Sequence, residues 1–446
     1  MRRLSAQRRI RIAAFLSLLL GILGTAGPAA TPPPKDLERA VDEYLQPYVR
    51  LHAYSGVVLI ARGDDPLVHK AYGMANYEFG VPNRTDTRFA IASISKRFTR
   101  IVLERLAEEK KLSDSDKLAR WVPDFPSADR ITIGELAGHT SGVRDPDKLR
   151  RTIRLSRTPG ETVEILKHEP LGSEPGAVYS YTTANYAILA YVIERVTGRS
   201  YPEVVSEYVY RPAGMTDSGE LATTTVVPRL ATGYMPDPFS DGVSVCGPED
   251  ASWKLGGGAS YSTARDLLRF ARALYGGKLL GAKRAADLFP HATLLGRRSL
   301  SSSGSFPGAG ANLLTFPDEG VTVVVLSNNY STVPSAITRD LAALFFGERV
   351  ESPDVELEPH PKPIDSRFLA DYEVIGRPWT LTVALREGRP LLVNNEIRQS
   401  GLRRIDADTW FSPLDWAKLK LRFREDGSFE GSFQLRGDEP LPLKRK

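Results

Sequence analysis

The stretch Ile91–Arg100 reads IASISKRFTR, and its spacing of serine, lysine and apolar residues decides the predicted fold and chemistry. Ser93 precedes Lys96 by three positions, and the apolar residues after them recur at helical spacing. The two side chains therefore share one face at the start of a predicted helix, where the Lys96 amine lies beside the Ser93 hydroxyl. The helix N-terminus adds partial positive charge and free N–H groups, which favour a developing oxyanion.

Two interpretations of this pair are open on its own residues. A serine hydroxyl becomes a nucleophile when a base takes its proton. Lysine can be that base only as a neutral amine, whose pKa burial or neighbouring cations must lower. In the other interpretation, Ser93 caps the helix and Lys96 is solvated. Taken alone, the pair favours the cap.

The composition narrows the classes of function. The 446 residues carry a formal charge of +5, with 41% hydrophobic and 25% charged residues, and are enough for two or three domains. No basic stripe with interleaved aromatic residues occurs, so binding to nucleic acid is not expected. Cys246 is the only cysteine, which excludes an internal disulfide. The histidines are scattered and no H-E-x-x-H or G-x-S-x-G motif occurs, so we expect no metal, no cofactor and no α/β-hydrolase nucleophile.

Residues 1–30 have the pattern of a cleaved signal peptide. The cationic segment MRRLSAQRRIR is followed by the apolar IAAFLSLLLGILG and by small residues, with cleavage expected between Ala26 and Ala30. The apolar run is shorter than the ~20 residues that span a membrane, so no stable span is expected after cleavage. We therefore predict a secreted or periplasmic protein, of an oligomeric state that the sequence does not indicate.

Residues 36–348 are predicted to form one unit with strands at both ends and helices between. YSGVVLIARGDDPLVHKAYG is typical of two strands joined by a turn, and VTVVVLSNN is a β-branched run near the other end. Helical segments dominate from Phe98 to about Leu280. This order predicts an α+β fold whose sheet takes strands from both ends of the unit, beside a separate helical lobe.

A second, smaller domain is predicted after a linker. Residues 349–365 are rich in proline and charge, which is typical of a linker. Within residues 366–446, the segments WTLTVALREGRPLLV and LKLRFREDGSFEGSFQLRG alternate apolar and polar residues around Glu-Gly and Asp-Gly turns. These hairpins predict a small all-β, barrel-like domain.

Several segments follow one another between about Tyr54 and Gly347 in a distinctive order: RFAIASISKRFT, ITIGELAGHTSGV, PGAVYSYTTANYAILAYVIERVTGRSY, LGGGASYSTARDLLRFARAL and GSFPGAGANLLTFPDEGVTVVVLSNN. They resemble the serine β-lactamase and penicillin-binding-protein family, in particular its class C β-lactamase and D-alanyl carboxypeptidase-like branch. The resemblance implies an antiparallel sheet flanked by helices plus a helical lobe. It also reverses the preference for a simple helix cap.

The resemblance implies specific roles for three residues. Ser93 is expected to be the acylated nucleophile and Lys96 its base. Tyr181, in YTT, takes the place of the phenol in the family's Tyr-x-Asn motif and would relay a proton to the leaving group. A neighbouring ammonium is expected to favour the phenolate form of this tyrosine.

Two departures from the family's pattern affect the expected substrate. Thr183 replaces the usual asparagine, which changes how a substrate is positioned. Ser302, Ser303 and Gly304 occupy the third motif, and the N–H of the next residue, Ser305, is expected to be an oxyanion donor beside that of Ser93.

The third motif also lacks the family's usual cation. A charge-assisted contact contributes roughly 1.5–3 kcal/mol. Because Ser302 cannot make such a contact with a substrate carboxylate, β-lactamase and carboxypeptidase activities become less favoured, unless Arg297 or Arg298 reaches into the site. Esterase or other peptidase activity gains accordingly.

The predicted function is an exported serine hydrolase that acts through a Ser93 acyl-enzyme on a small-molecule or peptide substrate, whether ester, amide, D-amino-acid peptide or β-lactam. The alternative is a catalytically silent scaffold with a binding or regulatory role, motivated by the changes at Thr183 and Ser302. The C-terminal β domain either covers the cleft or binds a ligand of its own, or is only a packed sheet.

Overall fold

The computed structural model describes residues 34–145, 155–221, 226–247, 250–358, 363–395 and 398–446. The predicted signal peptide, residues 1–30, lies outside these ranges. Within them, no helix combines the length and apolar character that crossing a membrane requires. The α-helices are, in chain order, α1 (Leu37–Arg50), α2 (Ser95–Glu108), α3 (Ile133–Ala137), α4 (Pro159–Leu166), α5 (Ala184–Thr197), α6 (Tyr201–Val205), α7 (Arg211–Ala213), α8 (Ala264–Tyr275), α9 (Ala282–Leu288) and α10 (Val333–Phe345).

The strands fall into two groups along the chain. The first group is β1 (Gly56–Arg62), β2 (Asp65–Tyr72), β3 (Met74–Asn76), β4 (Val81–Pro82), β5 (Phe89–Ala90), β6 (Gly219–Glu220), β7 (Tyr234–Pro236), β8 (Val243–Val245), β9 (Ser260–Ser262), β10 (Ala292–Leu294), β11 (Arg297–Phe306), β12 (Ala309–Phe316) and β13 (Val321–Ser327). The second group is β14 (Ala370–Val374), β15 (Thr380–Arg386), β16 (Arg389–Asn394), β17 (Arg398–Gly401), β18 (Arg403–Arg404), β19 (Thr409–Ser412), β20 (Ala417–Phe423), β21 (Phe429–Leu435) and β22 (Leu441–Arg445).

A six-stranded sheet organises the first unit. Its order is β10-β11-β12-β13-β1-β2, and neighbouring strands run antiparallel. β1 pairs with β13 from Gly56 opposite Ser327 to Arg62 opposite Val321, so strands from both ends of the unit meet in the middle of the sheet. The predicted α+β fold is confirmed.

Both faces of this sheet are covered, which explains the continuous apolar run of β1. Val57 and Leu59 face the core that the helical lobe shares with α2 and α8. Val58 and Ile60 face the opposite way, into the core under α1 and α10. Each fully buried aliphatic side chain of this kind contributes roughly 1.5–3 kcal/mol.

The second group of strands forms the predicted C-terminal all-β region. Its nine strands are ordered β17-β16-β15-β14-β22-β21-β20-β19-β18 in one barrel-like sheet. Alternation is clear in β20, where Ala417, Leu419 and Leu421 are buried and the residues between them are exposed or half-buried.

The β region packs firmly on the first unit. The Trp416 ring lies 4.2 Å from the Tyr48 ring of α1, centroid to centroid, and is buried in the core under α1 and α10. Arg436 pairs with Asp340 of α10 at 3.2 Å, and both side chains are nearly buried. A third contact joins the segment before α10 to the β region, because the Thr332 N–H donates to Leu414 O at 3.1 Å.

Candidate active site

A cavity of about 510 Å³ opens between the start of α2, the loop before α5, β11 and the segment before α10. Six of the seven residues predicted as site residues line it: Ser93, Lys96, Tyr181, Ser302, Gly304 and Ser305.

The Ser93 hydroxyl oxygen accepts two hydrogen bonds. The Tyr181 hydroxyl donates to Ser93 Oγ at 2.8 Å. Lys96 Nζ donates to the same oxygen at 3.1 Å. The three side chains therefore converge in the way the Ser-x-x-Lys spacing and the resemblance predicted. A hydroxyl, an amine and a phenol within direct hydrogen-bond reach could serve as nucleophile, base and proton donor in acyl transfer.

A tight turn presents Ser93 at the mouth of α2. Residues Ala92–Ile94 form a 3₁₀ turn that runs into the helix. Ala92 has φ of +45°, a left-handed conformation that costs a non-glycine residue of order 1–3 kcal/mol. The Ser95 hydroxyl donates to Ala92 O at 2.6 Å and accepts from Ser260 N at 3.2 Å, which ties the turn to β9.

Lys96 is buried and held by a backbone carbonyl. Its Nζ donates to Gly257 O at 2.6 Å as well as to Ser93. Burial lowers the pKa of Lys96 to about 7, with the nearby Asp145 carboxylate opposing this shift and the Lys254 ammonium adding to it. A large fraction of the amine is therefore neutral near pH 7, as a base must be.

Gly257 is packed tightly behind this amine. A β-carbon added at this position would lie 3.0 Å from Thr183 Cγ2 and 3.0 Å from Tyr186 Cβ. The glycine therefore allows the backbone that carries this carbonyl to pack closely against the start of α5.

Tyr181 remains a phenol, which corrects one expectation. Tyr181 is 53% exposed, yet its partial burial raises the pKa of its hydroxyl, and this effect exceeds the opposing effect of the hydrogen bond with Ser93. Lys96 Nζ lies 4.8 Å from the centroid of the Tyr181 ring. The expectation that an ammonium would favour the phenolate was wrong, because burial of the phenol is the largest effect on its pKa.

The loop that carries Tyr181 is anchored on both sides. The His139 ring lies 4.4 Å from the Tyr181 ring, and His139 Nδ1 accepts from Thr182 N at 3.3 Å. Burial lowers the pKa of His139 to about 4, with the charge of Lys96 as a further cause, so the imidazole is neutral and can accept. Asp145 Oδ1 accepts from the Thr182 hydroxyl at 2.5 Å and from Ala184 N at 2.8 Å.

β11 approaches the turn that carries Ser93 through a glycine. A β-carbon added to Gly304 would lie 2.1 Å from Ile91 O and 2.8 Å from Ser93 N. Only glycine allows this backbone approach. It brings the strand segment that contains Ser305 against the turn that carries Ser93.

Three residues considered from the sequence lie elsewhere. Thr183 stands at the start of α5 and does not line the cavity. Arg297 donates to Leu295 O at 2.6 Å and pairs with Glu348 at 3.2 Å. Arg298 pairs with Asp318. Neither arginine replaces the cation that Ser302 lacks.

Sequence reasoning missed two parts of the lining. Arg97, directly after Lys96, lines the cavity, and so do Ser331 and Thr332 before α10. Arg97 stands four residues after Ser93, so helical geometry alone could have placed it on the same face. Thr332 is positioned by its contact with the distant β region, and no pattern in the sequence indicates that contact.

No metal centre is evident in the part of the chain that the structure describes. Within these ranges, no group of three or more His, Cys, Asp or Glu side chains is arranged to hold a metal ion.

Comparisons with known proteins agree with this architecture. The Beta-lactamase family model matches residues 37–347. A penicillin-binding protein of Bacillus subtilis is 27% identical over 361 residues, covering 72% of this chain and 79% of the relative. The teichoic acid D-alanine hydrolase of Staphylococcus aureus is 26% identical over 245 residues, covering 55% of this chain and 59% of the relative.

One solved structure is similar along nearly the whole chain. The octameric penicillin-binding protein homologue from Pyrococcus abyssi has a TM-score of 0.61 at 19% identity and covers 92% of this chain and 99% of its own. This similarity shows a shared fold.

Proposed function

The chain belongs to the beta-lactamase family, and we propose from its cavity that it is a serine hydrolase working through an acyl-enzyme on Ser93. The observation that supports this most strongly is the convergence of Tyr181 OH and Lys96 Nζ on Ser93 Oγ, at 2.8 and 3.1 Å. A helix cap and a solvated lysine would produce neither the burial of Lys96 nor the lowering of its pKa to about 7.

In the acylation step, the neutral Lys96 amine takes the Ser93 proton while Oγ bonds to the carbonyl carbon of the substrate. The carbonyl electron pair moves onto oxygen, and the N–H groups of Ser93 and Ser305 stabilise this oxyanion. Removing one such donor from an enzyme typically costs about 10²–10³ in kcat.

The tetrahedral intermediate then collapses. The bond from the carbonyl carbon to the leaving group breaks, and the leaving group takes the proton of the Tyr181 hydroxyl. The proton held by Lys96 returns to the tyrosine. Water attacks the acyl-enzyme by the same steps and releases the acid, which restores Ser93.

The substrate class that we propose is an ester, amide or peptide. The relative named for hydrolysis of D-alanine from teichoic acid supports D-amino-acid donors within that class. The absence of Arg297 and Arg298 from the cavity gives no support to a cation on β11 of the kind that β-lactamases and carboxypeptidases use.

We also propose export before function, on the basis of the signal-peptide pattern in residues 1–30. N-terminal sequencing of the protein recovered from outside the inner membrane checks this proposal. A start between residues 27 and 31 supports it, and recovery of the intact N-terminus from the cytoplasm contradicts it.

A turnover assay over short-chain esters, D-amino-acid peptides and nitrocefin tests the hydrolase. We expect hydrolysis of at least one substrate by the native chain, with loss in both Ser93→Ala and Lys96→Ala. Ser113→Ala, a change to an exposed serine outside the cavity, is the control that keeps activity. Equal rates in all variants contradict the mechanism, and absence of turnover with any substrate favours the silent scaffold.

A further inference from the structure

We propose that Arg97 forms an anion-binding subsite in the catalytic cavity, so that the preferred substrate carries a carboxylate or phosphate group. This inference rests on the proposed hydrolase and names the charge of its substrate. It places the recognising cation on α2, next to the proposed catalytic lysine, whereas the part of β11 that lines the cavity carries serines and a glycine and no cation.

Arg97 lines the cavity, and its guanidinium has an incomplete set of hydrogen-bond partners. Its Nη2 donates to Ser301 O at 2.7 Å. Its Nη1 is buried and has no hydrogen-bond partner among the described residues. The guanidinium carbon lies 4.4 Å from the centroid of the Phe289 ring, so one side of the group is covered by an aromatic face.

No carboxylate neutralises this cation within the described ranges. The ion pairs of the described residues do not include Arg97, and burial lowers the pKa of its guanidinium. Arg97 is half-buried, and a charge that is partly removed from water without a counterion is unfavourable; an anion supplied by a ligand relieves this cost. The guanidinium also remains charged at every pH at which the enzyme could work.

The charges of the residues that line the cavity also favour an anionic ligand. Among the described residues that line it, Lys96 and Arg97 are the only ionisable cations, and none is an aspartate or glutamate. Since burial lowers the pKa of Lys96 to about 7, only part of its amine is charged near pH 7, and Arg97 is the permanent positive charge among the described lining residues. The hydroxyls of Ser302 and Ser303, on the strand that Arg97 contacts, are further donors for the oxygens of an anion.

A purely structural role for Arg97 makes a different prediction. In that case the side chain only joins α2 to β11 through Ser301 O, and its loss would slow every substrate by a similar factor. A subsite would instead change the preference between charged and neutral substrates. The ratio of kcat/KM values separates these two roles even when a variant is less active.

The experiment uses three aryl acetates that differ only at the meta position: 3-acetoxybenzoate, 3-acetoxyphenyl phosphate and the neutral 3-acetoxybenzamide. We expect the full-length native chain to prefer an anionic ester over the amide by about 10- to 100-fold in kcat/KM, the range of a charge-assisted contact. Arg97→Gln should bring this ratio close to one, and Arg97→Lys should retain part of it. Arg105→Gln, an exposed arginine further along α2, should leave the ratio unchanged.

Comparison of the two anionic esters shows which anion is recognised. Preference for 3-acetoxybenzoate indicates a carboxylate, and preference for 3-acetoxyphenyl phosphate indicates a phosphate. Equal kcat/KM values for the three esters in the native chain overturn the proposal. An equal loss on all three in Arg97→Gln does so too.

Calorimetry on Ser93→Ala, which cannot be acylated at this position, tests the subsite separately from the proposed hydrolase activity. Tighter binding of an anionic ester than of the amide, lost on adding Arg97→Gln, supports the subsite without any turnover. Equal binding of all three esters overturns it.

Discussion

Gly304 of β11 and Ser93 at the mouth of α2 are so close that a β-carbon on the glycine would lie 2.8 Å from the Ser93 backbone nitrogen. This approach links the strand to the turn that carries Ser93, although the two residues are far apart in the sequence. The positions of the proposed oxyanion donors therefore depend on residue 304 having no side chain.

Gly304→Ala is therefore expected to lower kcat by about 10²–10³, the typical effect of a lost oxyanion donor. The added methyl group must displace either β11 or the turn, which separates the N–H groups of Ser93 and Ser305. Steady-state kinetics with the best ester measure the effect. Gly281→Ala is the control, since its added methyl meets no atom within 4 Å. Native kcat in Gly304→Ala would contradict the proposed oxyanion site.

The rate should depend on pH through Lys96. Its amine is active when neutral and has a pKa of about 7, so kcat/KM should rise with pH below about 7 and level off above it. Because burial raises the pKa of Tyr181, the phenol keeps its proton across that plateau. A profile from pH 5 to 9.5 on a neutral ester measures this. A rate that falls between pH 6 and 8 would exclude a neutral amine as the base.

Lys96 should also make the folded protein less stable as the pH falls. Its folded-state pKa of about 7 lies below the unfolded value near 10.4, so the unfolded chain binds more protons in this window. Stability contributed by this group is therefore lost as the pH decreases from about 10 to 7. The gain from Lys96→Met in the free energy of unfolding should be about 2–3 kcal/mol larger at pH 6 than at pH 9.

Urea unfolding of both chains at the two pH values measures this difference. Lys278→Met, at a lysine in an exposed turn, should show the same small effect at both. A pH-independent gain in Lys96→Met would mean that Lys96 keeps an ordinary pKa in the folded state.

Tyr181→Phe removes the hydroxyl that donates to Ser93 and is expected to lower kcat by about 10²–10⁴, the usual range for a lost general acid or base. The loss should be smallest for esters with good leaving groups, which need little protonation. Tyr179→Phe, an exposed tyrosine of the same loop, is the control. Losses of one size for good and poor leaving groups would argue that Tyr181 only packs against His139.

The local part of this site could be predicted from the sequence. The part formed by contacts between distant segments could not. The Ser93–Lys96 spacing and the apolar periodicity of α2 predicted a shared helical face, because i and i+3 relations are fixed by helix geometry. Tyr181 was assigned through the family resemblance, since no spacing rule joins it to Ser93. The α+β order was predictable because β1 and β13 are continuous apolar runs.

Arg97 was missed because partial burial and the absence of a counterion are tertiary properties. A single arginine beside a lysine looks like an ordinary solvated position until Phe289 and Ser301 are placed around it. The contact between Trp416 and Tyr48 was missed for the same reason. The alternation in the β region predicted a packed sheet but did not indicate which residues of the first unit its outer residues contact.

The most direct test of the account is the intact mass of the full-length chain after exposure to a fluorophosphonate, an activated ester and a penicillin. We predict a covalent addition from at least one reagent, located on Ser93 by peptide mapping and absent from Ser93→Ala. No addition from any reagent, or equal addition to Ser93→Ala, would contradict the acyl-enzyme.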